Sequence, residues 1–193
     1  MAPLTRRELL VTPCALTALI TLPGCTNSPQ ATGLDPIYGR KDVPYDTRER
    51  PGTIVINPSE HFLYLVQGEG HAIRYGVGVG SEGFAWSGVA TVHSKREWPN
   101  WYPTDDYLQR QPEARSRLNL QSRSGMVAGL ANPLGARALY LWQGNKDTLY
   151  RIHGTNEPWT IGQNVSSGCI RLTNEDVIDL YDRTSVGAKV VVL

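Results

Sequence analysis

Residues 152–172 read IHGTNEPWTIGQNVSSGCIRL. Cys169 follows Gly168 directly and stands two residues after Ser167, while His153 lies sixteen residues upstream in a His-Gly-Thr triplet. A lone thiol with a histidine close by, in a glycine-rich setting, reads as a nucleophile and its base. The six residues that lead in, 148–153, alternate. Leu149, Arg151 and His153 fall on one face and Tyr150 and Ile152 on the other, the period of a β-strand. His153 then closes a strand, where a rigid sheet holds a side chain still.

Outward from this stretch the pattern stays β. Runs at 53–57 and 61–66 flank Pro58-Ser59-Glu60 and predict a hairpin. A turn at 67–70 leads to a third strand over 72–79, whose Gly76 and Gly78 imply close backbone approach or a bulge. Further strands are predicted at 89–94, 138–143 and 190–193. The 19 glycines and 13 prolines favour many turns. Two segments break the rhythm. The long run 98–126 begins with WPNWY and carries a predicted short helix over 105–111; a loop of this length in a compact domain is usually functional. After the cysteine, Thr173 caps a predicted helix with Asp176 at its third position, and Val177, Leu180 and Tyr181 form an apolar stripe for the core.

With 40% hydrophobic and 19% charged residues, the 193-residue chain is a folded domain with flanking sequence. Its net charge is +1 and becomes neutral without residues 1–24. That balance gives no support to nucleic acid as a partner, which needs a strong basic patch.

Residues 1–24 are expected to be an export signal, of lipoprotein or twin-arginine type. Arg6 and Arg7 precede the apolar run 9–22, which covers about 21 Å as a helix against a hydrocarbon core of about 30 Å. The run ends in Leu22-Pro23-Gly24-Cys25, a lipoprotein-like cleavage box that makes Cys25 the expected lipidation site and a lipid anchor the expected link to a membrane. Residues 25–51, rich in Pro, Gly, Asp, Thr and Arg, read as a tether or lead-in, and 52–193 as the catalytic domain. Cys14 leaves with the signal, so Cys169 is left as the candidate thiol. Its neighbours Ser166, Ser167, Gly168 and Arg171 make a poor apolar pocket for an inert cysteine.

A thiol attacks carbonyls as its thiolate, and His153 can take the proton and pass it to a leaving amine. Gly168 allows successive backbone amides to converge on an oxyanion. With no acidic residue obviously placed to orient the imidazole, a backbone carbonyl becomes the expected orienter. Acylation is then expected to fall with acidification, between pH 8 and 5, as His153 or the thiolate takes up a proton. His61, His71 and His93 show no ligand spacing, so no metal site is expected.

His153-Gly154-Thr155, followed after ten residues by SSGCIRL at 166–172, resembles the catalytic signature of the YkuD-type L,D-transpeptidases, bacterial cell-wall enzymes. The likeness runs from Gly52 to the C-terminus and takes in RYGVGVGSEGFAWSG at 74–88 and NPLGARALYLW at 132–142. It implies an all-β fold, a YkuD-like β-sandwich with short helices and a capping loop. It implies Cys169 as acylated nucleophile, His153 as base, and the carbonyl of Gly154 or Thr155 as orienter. The backbone amides of Ser167, Gly168 and Cys169 would form the oxyanion site. Arg171 would shape the pocket, meet a substrate carboxylate or form a structural ion pair, and Trp98, Trp101 and Tyr102 would line the cleft under the capping loop. Ser167 stands where many members carry His, and GMVAG at 125–129 replaces a GMPGG block.

The activity so implied needs no cofactor. The thiolate attacks a peptidoglycan tetrapeptide stem before its terminal D-alanine, and an amine resolves the acyl-enzyme. The acceptor stays open: another stem for a 3→3 crosslink, a lysine of an outer-membrane lipoprotein, or water in a carboxypeptidase or a hydrolase that releases that lipoprotein. A catalytically silent lipoprotein that only binds peptidoglycan is the rival reading. The expected location is the periplasm of a Gram-negative bacterium.

Overall fold

The computed structural model describes residues 33–81, 86–103, 105–110, 112 and 125–193. The export signal and Cys25 lie outside them. Two α-helices and eleven strands are named among them: β1 (Lys41–Pro44), β2 (Ile54–Asn57), β3 (Phe62–Gly68), β4 (His71–Gly76), β5 (Val79–Gly80), β6 (Gly88–Glu97), α1 (Asp105–Arg110), β7 (Arg137–Gln143), β8 (Lys146–His153), β9 (Asn164–Ser166), β10 (Ile170–Arg171), α2 (Asn174–Arg183) and β11 (Lys189–Val192). Nine strands pair in the order β1-β4-β3-β2-β11-β6-β7-β8-β10, and β5 pairs with β9 apart from them. The β-rich expectation holds. No helix of the described residues is long and apolar enough to cross a membrane.

The predicted hairpin forms as β2–β3, with Asn57 opposite Phe62. At the next turn Glu69 and Gly70 both take positive φ, 52° and 77°, the two-residue geometry that matches the twist of paired strands. The core gathers where alternate residues face inward: Ile54 and Ile56, Leu63 and Leu65, Leu139 and Leu141, Val190 and Val192 pack with Ile152 and with Val177 and Leu180 of α2. The Thr173 side chain accepts from the Asp176 N–H at 3.1 Å, so the predicted cap is present.

Three differences from expectation have physical causes. The strand over 72–79 is interrupted, because Gly76 and Gly78 bring the chain against Tyr38 and the Thr160 carbonyl, where a Cβ has no room. The chain then crosses to β9. The lead-in from Gly33 is not a free tether: β1 pairs with β4, and Arg40 meets Asp179 of α2 at 3.1 Å. The short helix forms as predicted over Asp105–Arg110, and Gln111 lies outside the described residues. Last, the alternation of β8 fails at Leu149, which has φ 63° and is 70% exposed, opposite an irregularity between Tyr140 and Trp142 of β7. Two extra residues bulge there.

Candidate active site

His153 ends β8 and is held on both sides. It pairs with Ala138 of β7 and Arg171 of β10, and its carbonyl accepts from the Leu172 N–H at 2.9 Å. Its ring is almost fully buried, and Nδ1 lies 2.5 Å from the Gly154 carbonyl oxygen. A carbonyl can only accept, so Nδ1 carries the proton and Nε2 is left with a lone pair. Of the two candidate orienters, Gly154 is the one whose carbonyl meets the ring. Thr155, the other candidate, is buried, and its Oγ1 accepts the Glu157 N–H at 3.0 Å. Gly154 is itself enclosed by Asn174 and Val177 of α2 and the Ala136 amide.

Cys169 stands one residue before β10. The register of Ile170 with Ile152 and Arg171 with His153 sets Cys169 beside Arg151, in parallel with the strand that carries the histidine. The sheet therefore brings the two predicted residues onto neighbouring strands. The turn before the cysteine needs Gly168, whose φ is 110°. Ser166 clamps that turn: its buried Oγ donates to the Cys169 carbonyl at 2.5 Å and accepts the Gly168 N–H at 3.1 Å. The Gly168 amide, one of the three expected oxyanion donors, is thus bonded inside the turn. Ser167 is exposed at the apex. Ser166 was legible only as part of the motif, because nothing in a serine run tells which hydroxyl turns inward.

The thiol is half-buried, and its Sγ lies 3.9 Å from the Leu149 carbonyl. Burial pushes the Cys169 thiol above its ordinary range, opposed by the Arg151 amide and by the charges of Arg151 and Arg171. Burial also lowers His153, from 6.5 to about 4, against the support of the Gly154 carbonyl; the two arginines add to the lowering. Near neutrality the resting pair is a neutral thiol and a neutral imidazole.

Arg171 is placed by its backbone, which exchanges two hydrogen bonds with Gly78, and its guanidinium meets Glu157 at 3.1 Å. Of the three roles open to it, the ion pair is the one formed. The aromatics sit in the capping segment. Trp98 is 40% and Tyr102 60% exposed, while Trp101 packs edge-on to Tyr107 at 5.2 Å and pairs its backbone with Met126. Asn132, absent from the sequence candidates, fastens this segment: its buried amide donates to the carbonyls of Pro99, Met126 and Val127, and its oxygen accepts the Leu134 N–H. An Asn-Pro pair in a loop was its only signal. Among the described residues no three His, Cys, Asp or Glu side chains gather as metal ligands.

Comparison with known proteins agrees with this geometry. Residues 51–192 match the YkuD family model, the L,D-transpeptidase catalytic domain. The probable L,D-transpeptidase ErfK/SrfK of Escherichia coli (strain K12) is 36% identical over 145 residues, covering 72% of this chain and 43% of that protein. The probable L,D-transpeptidase YcfS of the same strain is 35% identical, with the same coverage. A crystal structure from Brucella melitensis, described as a probable carnitine operon oxidoreductase, is 51% identical with a TM-score of 0.55, covering 84% of this chain and 98% of that one. An L,D-transpeptidase from Mycobacterium smegmatis shares the fold at 19% identity, with a TM-score of 0.50 over 73% of this chain and 58% of that one. The chain belongs to the L,D-transpeptidase catalytic domain family. It spans about 43% of the length of its E. coli relatives.

Proposed function

We propose that the chain is an exported L,D-transpeptidase acting on peptidoglycan, with Cys169 as the residue acylated and His153 as its base. One observation carries this reading: Nδ1 of His153 is tied to the Gly154 carbonyl, which leaves Nε2 basic on the strand beside the thiol. As the Cys169 sulfur bonds to the stem carbonyl before the terminal D-alanine, its proton moves to Nε2. The C–N bond then breaks and the leaving amine takes that proton, giving a thioester. An acceptor amine repeats the sequence in reverse: it passes a proton to Nε2 and bonds to the acyl carbon, and the departing sulfur recovers the proton. With both groups neutral at rest, proton transfer accompanies attack. We place the Cys169 amide on the oxyanion, and Trp98, Trp101 and Tyr102 over the bound stem. The acting form is placed in the periplasm of a Gram-negative cell, anchored through a lipid on Cys25.

The description of the Brucella protein raises oxidoreduction as a second reading. The glycine run at 76–80 would be the place for a nucleotide phosphate, yet it leads into β5 and pairing with β9, not into a helix N-terminus. That favours acyl transfer.

The test is release of D-alanine from a disaccharide tetrapeptide by the full chain, with Cys169→Ala and His153→Ala beside it. Release from the wild type alone supports the reading; release undiminished in Cys169→Ala refutes it, and no release from the wild type favours a silent binder. Muropeptide profiles of a deletion strain separate the acceptors. Loss of 3→3 dimers marks crosslinking, and altered lipoprotein attachment marks anchoring or release.

A further inference from the structure

The bulge in β8 meets the sulfur through the Leu149 carbonyl, and its shape is held by one carboxylate. Asp147 Oδ1 accepts the Leu149 N–H at 2.8 Å, while its two oxygens take the Arg151 guanidinium at 2.8 and 2.9 Å. The Asp147 carboxyl is held below the usual carboxylate range by those Arg151 bonds. Thr148 completes the clasp, its Oγ1 donating to the Leu141 carbonyl at 2.6 Å and accepting the Tyr150 N–H at 3.2 Å. Inside this clasp Leu149 keeps φ 63° with its side chain in solvent. A leucine gains nothing there by itself, because its Cβ opposes the left-handed region. What the conformation does provide is direction: the Leu149 carbonyl faces Sγ at 3.9 Å, and the register sets Arg151, whose amide favours the thiolate, beside Cys169.

We propose that Asp147 is a positioning residue for the reaction at Cys169: by fixing the Leu149 bulge it sets an acceptor for the S–H and a donor for the developing thiolate on either side of the sulfur. The carbonyl orients the thiol proton at rest, and the amide takes up charge as that proton leaves. The charged and titratable groups around the pair are Arg151 and His153 from β8 and Arg171 from β10; His93 of β6 acts on Asp147. The proposal rests on Cys169 as the nucleophile, and its test keeps the two apart.

The full chain and its Asp147→Asn, Asp147→Ala and Asp147→Ala/Leu149→Gly variants are compared by two rates. One is acylation by a carbapenem; the other is alkylation of Cys169 by iodoacetamide, read by peptide mass. Asp147→Ala is expected to slow both about fivefold or more, the scale set by the cost of the left-handed conformation that nothing then offsets. Asp147→Asn keeps an oxygen for the Leu149 N–H and falls less. Glycine at 149 adopts the bulge without a Cβ and recovers most of the loss. Unchanged rates in Asp147→Ala, a lower melting temperature alone, or no recovery with glycine overturns the proposal. If Asp147→Ala does not fold, Asp147→Asn is set against Asp147→Asn/Leu149→Gly, where a slower Asn variant rescued by glycine supports the proposal and equal rates overturn it. A wild type that is alkylated but never acylated overturns the transpeptidase reading alone, since the alkylation series still decides Asp147.

Discussion

The His153 ring donates from Nδ1 to the carbonyl of Gly154, its immediate neighbour, at 2.5 Å. An orienting group supplied by the next peptide bond has no charge, so nothing acidic raises the imidazole pKa to offset its burial. The consequence is a base at about 4 in place of 6.5.

Acylation by the wild type is therefore expected to have its acid limb near pH 4, where His153 takes up a proton, and to show no His153 limb between pH 5 and 8. The ordinary histidine range expected from sequence moves down because the ring is buried. A pH–rate profile with its acid midpoint near 6.5 would contradict this. Arg171→Gln removes one of the charges that lower His153, so its midpoint should rise, though not to 6.5, because burial is the larger cause.

The same shift acts on folding. A histidine whose pKa is lower folded than unfolded binds its proton first in the unfolded chain. Its contribution is present above about 6.5 and is lost as pH falls to about 4, roughly 3 kcal/mol for one such group. Urea midpoints at pH 7 and pH 4 should differ in that direction, and His153→Gln should flatten the difference.

Ser166→Ala removes the hydroxyl that ties the Cys169 carbonyl and the Gly168 amide together. Both lie in a closed turn, so stability should fall by about 1–3 kcal/mol. Carbapenem acylation should fall with it. A variant with wild-type melting temperature and acylation rate would show that the turn holds itself.

Thr173→Ala serves as the contrast. It loses the cap on α2 and should cost about 1 kcal/mol, read from thermal melts, while acylation by the folded fraction stays at the wild-type rate.

Much of the fold is legible in the sequence because β-branched runs and turn residues act locally. The β2–β3 hairpin, the α2 cap and the strand ending at His153 all follow from neighbours a few residues apart. Part of what escapes is non-local. Nothing near Lys41 or Arg40 announces that β4 and Asp179 will take them in. Ser166 and Ser167 look alike until the turn buries one of them. Leu149 reads as an ordinary strand position, because the carboxylate that bends it stands two residues away in a strand whose alternation hides the bulge. The bond from the Gly168 amide to Ser166 Oγ is hidden as well, because a serine run does not tell which hydroxyl turns inward.

The most direct test of the account is the intact mass of the full chain after incubation with a carbapenem, followed by peptide mapping. The account predicts one covalent adduct on Cys169, absent from Cys169→Ala and formed far more slowly in His153→Ala. No adduct on the wild type, or an undiminished one on Cys169→Ala, would contradict it.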